Sequence, residues 1–156
     1  MSGAMRIDAR VDIEAPPAVV WRCIDEPAQI VRWVEGAVEH RYLEERKPGH
    51  RLGQKFLQRL KQGRRIVEFE GTLIACDFPR HFAFTIPSPA YSSEAHFRLS
   101  PEGAARTRVD YSIEVTLHTV VAKIAGAVLR LPLGFFVRKQ MRRLRDLAVS
   151  LKEGKA

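Results

Sequence analysis

Four polar side chains lie on faces of the predicted elements that are otherwise apolar. His40 and Tyr42 share one parity of a predicted strand, Tyr111 lies among branched residues of a later strand, and Gln140 joins the apolar stripe of the last helix. Imidazole and phenol groups form hydrogen bonds and can move protons, whereas an amide can only hydrogen-bond. These residues could anchor a carbonyl or hydroxyl of a ligand, or His40 with a tyrosine could act as acid and base. A histidine near an apolar face is more often structural, and that alternative stays open.

Other chemistries find no support in the motifs. The chain contains no G-x-S-x-G elbow and no glycine-rich phosphate loop, which disfavours acyl hydrolysis and nucleotide chemistry. Cys76, Asp77 and His81 are spaced unlike any closed metal site, and Cys23 is expected to be a small buried hydrophobe. We therefore predict neither a metal nor another cofactor.

The positive charge of the chain is local. The 156 residues contain 26 Lys and Arg against 18 Asp and Glu, a formal net charge of +8. The excess lies in residues 41–65 and 138–156, and we interpret both stretches as solvated faces. The first stretch lacks interleaved exposed aromatic residues, so no nucleic acid partner is expected. A peripheral contact with an anionic membrane through Arg138, Arg142 and Arg145 is a further hypothesis.

The length of the chain fits a single domain, residues 1–156, with a sizeable core. Residues 1–5 are expected to be disordered or an expression remnant, and 152–156 a tail. The first residues do not form a secretory signal, and two cysteines are too few for a disulfide framework. A cytoplasmic location is therefore the expectation.

Periodicity predicts the order of the elements. A strand over 6–13 precedes two short helices that end at Gly36, about six strands fill 37–118, and a long amphipathic helix follows Thr119. Pro132 and Gly134 predict a kink or an interruption, so that residues 120–131 form a separate helical piece. Residues 120–137 are long enough for a membrane span, but Pro132 and two internal charges disfavour one. An interfacial helix stays open.

Short motifs in this order resemble those of the START/Bet v 1-like (SRPBCC) superfamily, in its polyketide cyclase/dehydrase and lipid-transport branch. The motifs are a strand leading into Pro-x-x-Val-Trp at 17–21, Trp-x-x-Gly at 33–36, Arg-Leu-Gly at 51–53, and a strand, proline turn and strand over 70–84. The resemblance implies an α+β helix-grip fold. In that fold a curved antiparallel sheet of about seven strands wraps around a long C-terminal helix, with two short helices between strands 1 and 2.

The resemblance also implies a cavity between the sheet and the last helix that binds a lipid, polyketide or aromatic compound. We expect a binder or carrier rather than an enzyme. The alternatives are a cofactor-independent cyclase/dehydratase, with His40 and Tyr111 as catalytic candidates, and an accessory protein that acts through its basic faces. The residues predicted to contact the ligand are Trp33, Val38, His40, Tyr42, Phe69, Phe84, Phe97, Tyr111, Ile113, Leu133, Phe136, Val137, Gln140 and Met141.

Overall fold

Seven strands with alternating apolar side chains form one sheet. The computed structural model describes residues 4–45 and 51–154. The sheet contains β1 (Ala4–Ile13), β2 (Ala37–Tyr42), β3 (Lys55–Gln62), β4 (Arg65–Asp77), β5 (His81–Ile86), β6 (Tyr91–Pro101) and β7 (Thr107–Leu117). All neighbours are antiparallel, in the order β1-β7-β6-β5-β4-β3-β2. The six strands predicted for 37–118 are therefore present.

Three helices complete the domain: α1 (Pro17–Asp25), α2 (Pro27–Trp33) and α3 (Val120–Lys152). Prolines occupy the first turns of α1 and α2, where their fixed φ suits a helix start and no hydrogen bond is lost. At the start of α3 the Thr119 hydroxyl accepts a hydrogen bond from the Ala122 amide at 3.0 Å. One sheet, two short helices and one long helix make the helix-grip fold, which confirms the predicted architecture.

The core lies between the sheet and the second half of α3. Leu144 of α3, Val109 of β7 and Ile13 of β1 are completely buried in it. Thr107 is also fully buried, and its hydroxyl donates to the Ala15 carbonyl at 2.8 Å. That bond ties β7 to the turn between β1 and α1 and satisfies a buried polar group that would otherwise be costly.

The predicted interruption of the last helix is wrong. α3 continues through Pro132 as one helix of 33 residues. Proline removes the hydrogen bond to the carbonyl of residue 128, but Val128 and Pro132 are both exposed. Water can therefore hydrate the freed carbonyl, and the helix tolerates the proline.

The chain ends depart partly from expectation. β1 begins at Ala4, and Met5 pairs with Val115 and is almost fully buried, so the prediction of disorder is wrong for these two residues. α3 ends at Lys152, and Glu153 and Gly154 follow it in a turn. Residues 1–3 and 155–156 of the predicted tails lie outside the described residues. The sequence Lys47-Pro48-Gly49 predicts a turn, and this segment also lies outside them.

Candidate functional site

A cavity of about 230 Å³ lies between the apolar face of the sheet, α2 and α3. Its wall is mostly aliphatic and aromatic, as expected of a site for an apolar ligand. Twelve of the fourteen predicted ligand residues lie on this wall: Trp33, His40, Tyr42, Phe84, Phe97, Tyr111, Ile113, Leu133, Phe136, Val137, Gln140 and Met141. Their role in binding stays a prediction.

Val38 and Phe69 do not lie on the cavity wall, contrary to prediction. The register of β2 shifts between Ala37 and Glu39, so Val38 sits in a bulge and is 50% exposed. Phe69 lies in the part of β4 that extends past β5, because β5 pairs with β4 only from Thr72 onward. Strict alternation along each strand could reveal neither feature.

His40 points inward and is held by two neighbours on β3. Its Nδ1 lies 2.9 Å from the Gln58 Oε1, and its ring stacks on Phe56 with a centroid distance of 5.0 Å. An amide oxygen can only accept, so Nδ1 carries the proton and Nε2 of the neutral ring is left as an acceptor. Burial lowers the pKa of His40, against the opposing effects of Gln58 and Asp25. Nε2 is buried and has no partner in the described part of the chain.

The position of Phe56 depends on a glycine in the neighbouring strand. Gly71 faces Phe56 in the β3–β4 register, and a Cβ on Gly71 would lie 2.2 Å from the Phe56 Cζ. Only glycine leaves room for the ring, which in turn supports His40. Phe56 and Gln58 were missed as site residues, although Phe56, Gln58 and Leu60 share one parity. They lie in the basic stretch 41–65, whose composition instead favoured a solvated face.

Gln140 lies on the opposite wall, where α2 meets α3. Its Oε1 accepts from the Glu35 amide at 3.1 Å. Two further bonds join the same segments, from Arg143 Nε to the Trp33 carbonyl at 2.7 Å and from Lys139 Nζ to Glu35 Oε1 at 3.0 Å. The Nε2 of Gln140 is buried without a hydrogen bond among residues 4–45 and 51–154. Gln140, a residue of the cavity wall, therefore keeps one donor without a partner in this part of the chain.

Tyr42 is held by a buried ion pair that the sequence did not indicate. Its hydroxyl donates to Asp25 Oδ1 at 2.7 Å, and Arg51 donates to both Asp25 oxygens at 3.0 and 2.8 Å. Arg51 also donates from Nε to the Gln54 Oε1 at 2.8 Å. Burial, and then the charge of Asp25, raises the pKa of Tyr42. The phenol is therefore neutral and fixed as a structural part of the wall.

Tyr111 lies on the cavity wall beside Phe97, with ring centroids 4.8 Å apart. Burial raises the pKa of Tyr111, so this phenol is also neutral near pH 7. The structure brings His40, Tyr42 and Tyr111 to one cavity. However, His40 Nε2 forms no hydrogen bond with either tyrosine, and the Tyr42 hydroxyl donates to Asp25 instead. A proton relay between His40 and a tyrosine is therefore not formed in this structure.

Two residues of the cavity wall carry a buried side-chain nitrogen without a partner among the described residues. His40 Nε2 accepts, which suits a hydroxyl, and Gln140 Nε2 donates, which suits a carbonyl. Among the described residues, no three His, Cys, Asp or Glu side chains are grouped so as to hold a metal ion.

A family model described as polyketide cyclase/dehydrase and lipid transport matches residues 4–149. No curated protein sequence matches the chain. A solved structure of a protein from Nitrosomonas europaea is similar, with 16% identity, coverage of 96% of this chain and 97% of that chain, and a TM-score of 0.71.

Two structures with named activities are also similar. The di-domain ARO/CYC BexL from the BE-7585A biosynthetic pathway has 17% identity and a TM-score of 0.72, covering 93% of this chain and 50% of BexL. A norcoclaurine synthase mutant from Thalictrum has 12% identity and a TM-score of 0.69, with 97% and 98% coverage. At such identities these likenesses show only the fold. The match to the family model covers nearly the whole sequence, and the chain therefore belongs to the polyketide cyclase/dehydrase and lipid-transport family.

Proposed function

We propose that the protein binds a small apolar molecule that carries a hydroxyl and a carbonyl group. The observation that carries this proposal is the pair of buried nitrogen atoms without partners, His40 Nε2 and Gln140 Nε2, on an apolar wall. A buried polar atom without a partner costs free energy, and a ligand that supplies the missing bonds would recover it.

The size of the cavity limits the ligand. An apolar cavity of about 150 Å³ binds benzene, whereas this cavity measures about 230 Å³. It therefore suits a molecule of one or two rings, or a chain of similar volume. One structure of norcoclaurine synthase is a complex with dopamine and hydroxybenzaldehyde, two single-ring molecules that carry hydroxyl or carbonyl groups. That relative supports the size and chemistry proposed for this chain.

Three probes of nearly equal size test the proposal: naphthalene, 1-naphthol and 1-tetralone. Binding is measured by calorimetry and by quenching of Trp33, which lies on the cavity wall. One recovered hydrogen bond contributes about 0.5 to 1.5 kcal/mol, so each oxygenated probe should bind about two- to twelvefold more tightly than naphthalene. His40→Phe should remove the preference for 1-naphthol, and Gln140→Leu the preference for 1-tetralone.

The matched control is His118→Phe, since His118 is exposed, is not a residue of the cavity wall and bonds Ser92 at 3.1 Å. It should leave all three affinities unchanged. Equal affinities for the three probes in the parent protein, or no binding of any probe, would refute the proposed polar anchoring.

A second candidate is dehydration of a β-hydroxyketone, as expected of a cyclase/dehydratase. It is favoured by one observation, the neutral imidazole of His40, a residue of the cavity wall whose Nε2 acceptor has no partner among the described residues. His40 would remove the proton α to the carbonyl, and the C=C bond of an enone would form as the Cβ–O bond breaks. The leaving hydroxide would take the same proton back from His40 and depart as water. The carbonyl would accept from Gln140.

The two candidates differ in turnover. An enzyme would convert a bound β-hydroxyketone at a rate that falls as His40 becomes protonated below pH 6.5, and His40→Asn would lower that rate by about 10² to 10⁴. A binder would hold the same compound without converting it at any pH.

A further inference from the structure

The first half of α3 exposes an apolar stripe that the fold does not use. Val120, Val121, Ile124, Val128, Leu131 and Phe135 are each between 64% and 78% exposed. α3 is the one described helix whose length and composition would suit a membrane span, and only 11% of its 18-residue apolar window is buried. Core helices of soluble proteins are also apolar, but they are mostly covered. The stripe therefore needs a partner other than the core of this domain.

All six side chains of the apolar stripe lie on one side of α3. At about 100° per residue, its six members fall within one sector of about 100° around the helix axis. Gly126 lies on the opposite side, where a Cβ would approach the Leu117 Cδ1 to 2.6 Å. This close contact between α3 and the end of β7 turns the apolar stripe away from the domain.

Basic side chains continue the same sector along α3. Arg138, Lys139 and Arg142 follow the apolar stripe on this face. The Arg138 guanidinium lies over the Phe135 ring at 4.8 Å, at the point where the apolar part ends. Arg145, the third arginine of the membrane hypothesis, bonds Asp146 at 3.2 Å. An apolar surface bordered by positive charge complements an anionic lipid bilayer, with its acyl interior and phosphate headgroups.

The geometry favours docking on a bilayer rather than crossing it. Lys123 and Arg130 lie within the apolar half, and a span would place both charges in the hydrocarbon. A helix that lies in the interface buries its apolar face among the upper acyl chains and keeps its charges at the headgroups. Residues 120–136 extend over about 25 Å at 1.5 Å per residue, which is long enough for such a contact.

The apolar stripe adjoins the cavity. Leu133 and Phe136 both lie on the cavity wall, and Phe136 is also 43% exposed. Phe136 therefore belongs to the cavity on one side and to the outer surface beside Phe135 on the other.

We propose that the stripe from Val120 to Phe135, together with Arg138 and Arg142, docks the protein on an anionic membrane surface. This goes beyond ligand binding in the cavity and does not depend on it. In the docked state the bilayer covers the apolar side chains that are exposed on the first half of α3.

Flotation with vesicles tests the proposal on the full chain. The vesicles are phosphatidylcholine alone, or phosphatidylcholine with phosphatidylglycerol at about 3:1. The parent protein should float with the anionic vesicles at low salt and less at high salt. The double variant Val128→Gln/Leu131→Gln should lose this binding by at least tenfold. Arg138→Gln/Arg142→Gln should lose it by about fivefold per side chain.

Two matched controls separate this surface from the rest of the molecule. Leu52→Gln/Ile66→Gln replaces two residues of similar exposure outside α3, and Arg64→Gln/Arg65→Gln removes the same charge from the other basic stretch. Both should bind as the parent does. Unchanged circular dichroism and melting temperature show that each variant is folded.

Three outcomes would overturn the proposal. The first is no flotation of the folded parent protein with anionic vesicles at low salt. The second is an equal loss in Arg64→Gln/Arg65→Gln, which would show attraction by net charge alone. The third is a dimer in sedimentation that Val128→Gln/Leu131→Gln dissociates without changing flotation, which would make a second copy the partner. None of these outcomes depends on the cavity probes.

Discussion

Breaking the buried ion pair beside the cavity should destabilise the domain strongly. The side chains of Arg51 and Asp25 are 13% and 9% exposed, and two hydrogen bonds of 3.0 and 2.8 Å join them. Removing one partner of a buried pair costs about 3 to 5 kcal/mol, because the other charge is left uncompensated. Arg51 also lies over the Tyr42 ring at 5.1 Å, a contact of about 0.5 to 1 kcal/mol. Since Arg51 keeps some access to water, we expect about 3 kcal/mol for Arg51→Met.

Urea and thermal unfolding, followed by circular dichroism, measure this loss. A domain of this size changes its melting temperature by about 2 to 4 °C per kcal/mol, so Arg51→Met should melt about 6 to 12 °C lower. The matched control is Arg59→Met, whose guanidinium lies 3.3 Å from Glu39 in a pair with exposures of 45% and 37%. Such an exposed pair contributes about 1 kcal/mol or less.

A double-mutant cycle shows whether the loss belongs to the pair. Asp25→Asn combined with Arg51→Met should cost less than the sum of the two single changes, since the double variant leaves no charge buried alone. A loss below about 1 kcal/mol for Arg51→Met, or a loss equal to that of Arg59→Met, would show that the pair is solvated and that this reasoning is wrong.

Three further predictions concern the cavity wall and the core. Gly71→Ala should displace the Phe56 ring, cost about 1 to 3 kcal/mol in urea unfolding and weaken 1-naphthol binding; unchanged stability would contradict the 2.2 Å approach. Because burial lowers the pKa of His40 from 6.5, its contribution to stability is complete above pH 6.5 and is lost as the pH falls through the folded pKa. His40→Asn should therefore flatten the acid side of the stability profile, and an unchanged profile would count against burial of the imidazole. Leu144→Ala should cost about 2 to 5 kcal/mol, since Leu144 is completely buried; a loss below this range would place the core elsewhere.

The strands and the second half of α3 were predictable because their apolar residues recur with the period of a strand or of a helix. Phe97, Leu99, Val109 and Tyr111 alternate with polar residues, and each lies on the inward face of β6 or β7. The second half of α3 follows the helical period in the same way, as buried Leu144 shows. Such patterns need no knowledge of which strand pairs with which.

Features that depend on pairing were not predictable. The bulge that turns Val38 outward exists only relative to β3, and the exclusion of Phe69 depends on where β5 ends beside β4. Asp25 and Arg51 are separated by 26 residues in the chain, and Arg51 lies in the basic stretch 41–65 that was interpreted as a solvated face. Long-range ion pairs of this kind leave no periodic signal.

The continuity of α3 through Pro132 has the same physical origin as its exposed stripe. A proline in a buried helix would leave a carbonyl without a partner in apolar surroundings, which is strongly unfavourable. Here the affected turn projects from the domain, so its backbone can be hydrated in free solution. A helix in the membrane interface keeps this carbonyl closer to the hydrated headgroups than a spanning helix does. In the hydrocarbon it would have no such partner. Pro132, with Lys123 and Arg130, therefore argues for a helix that lies on a bilayer rather than one that crosses it.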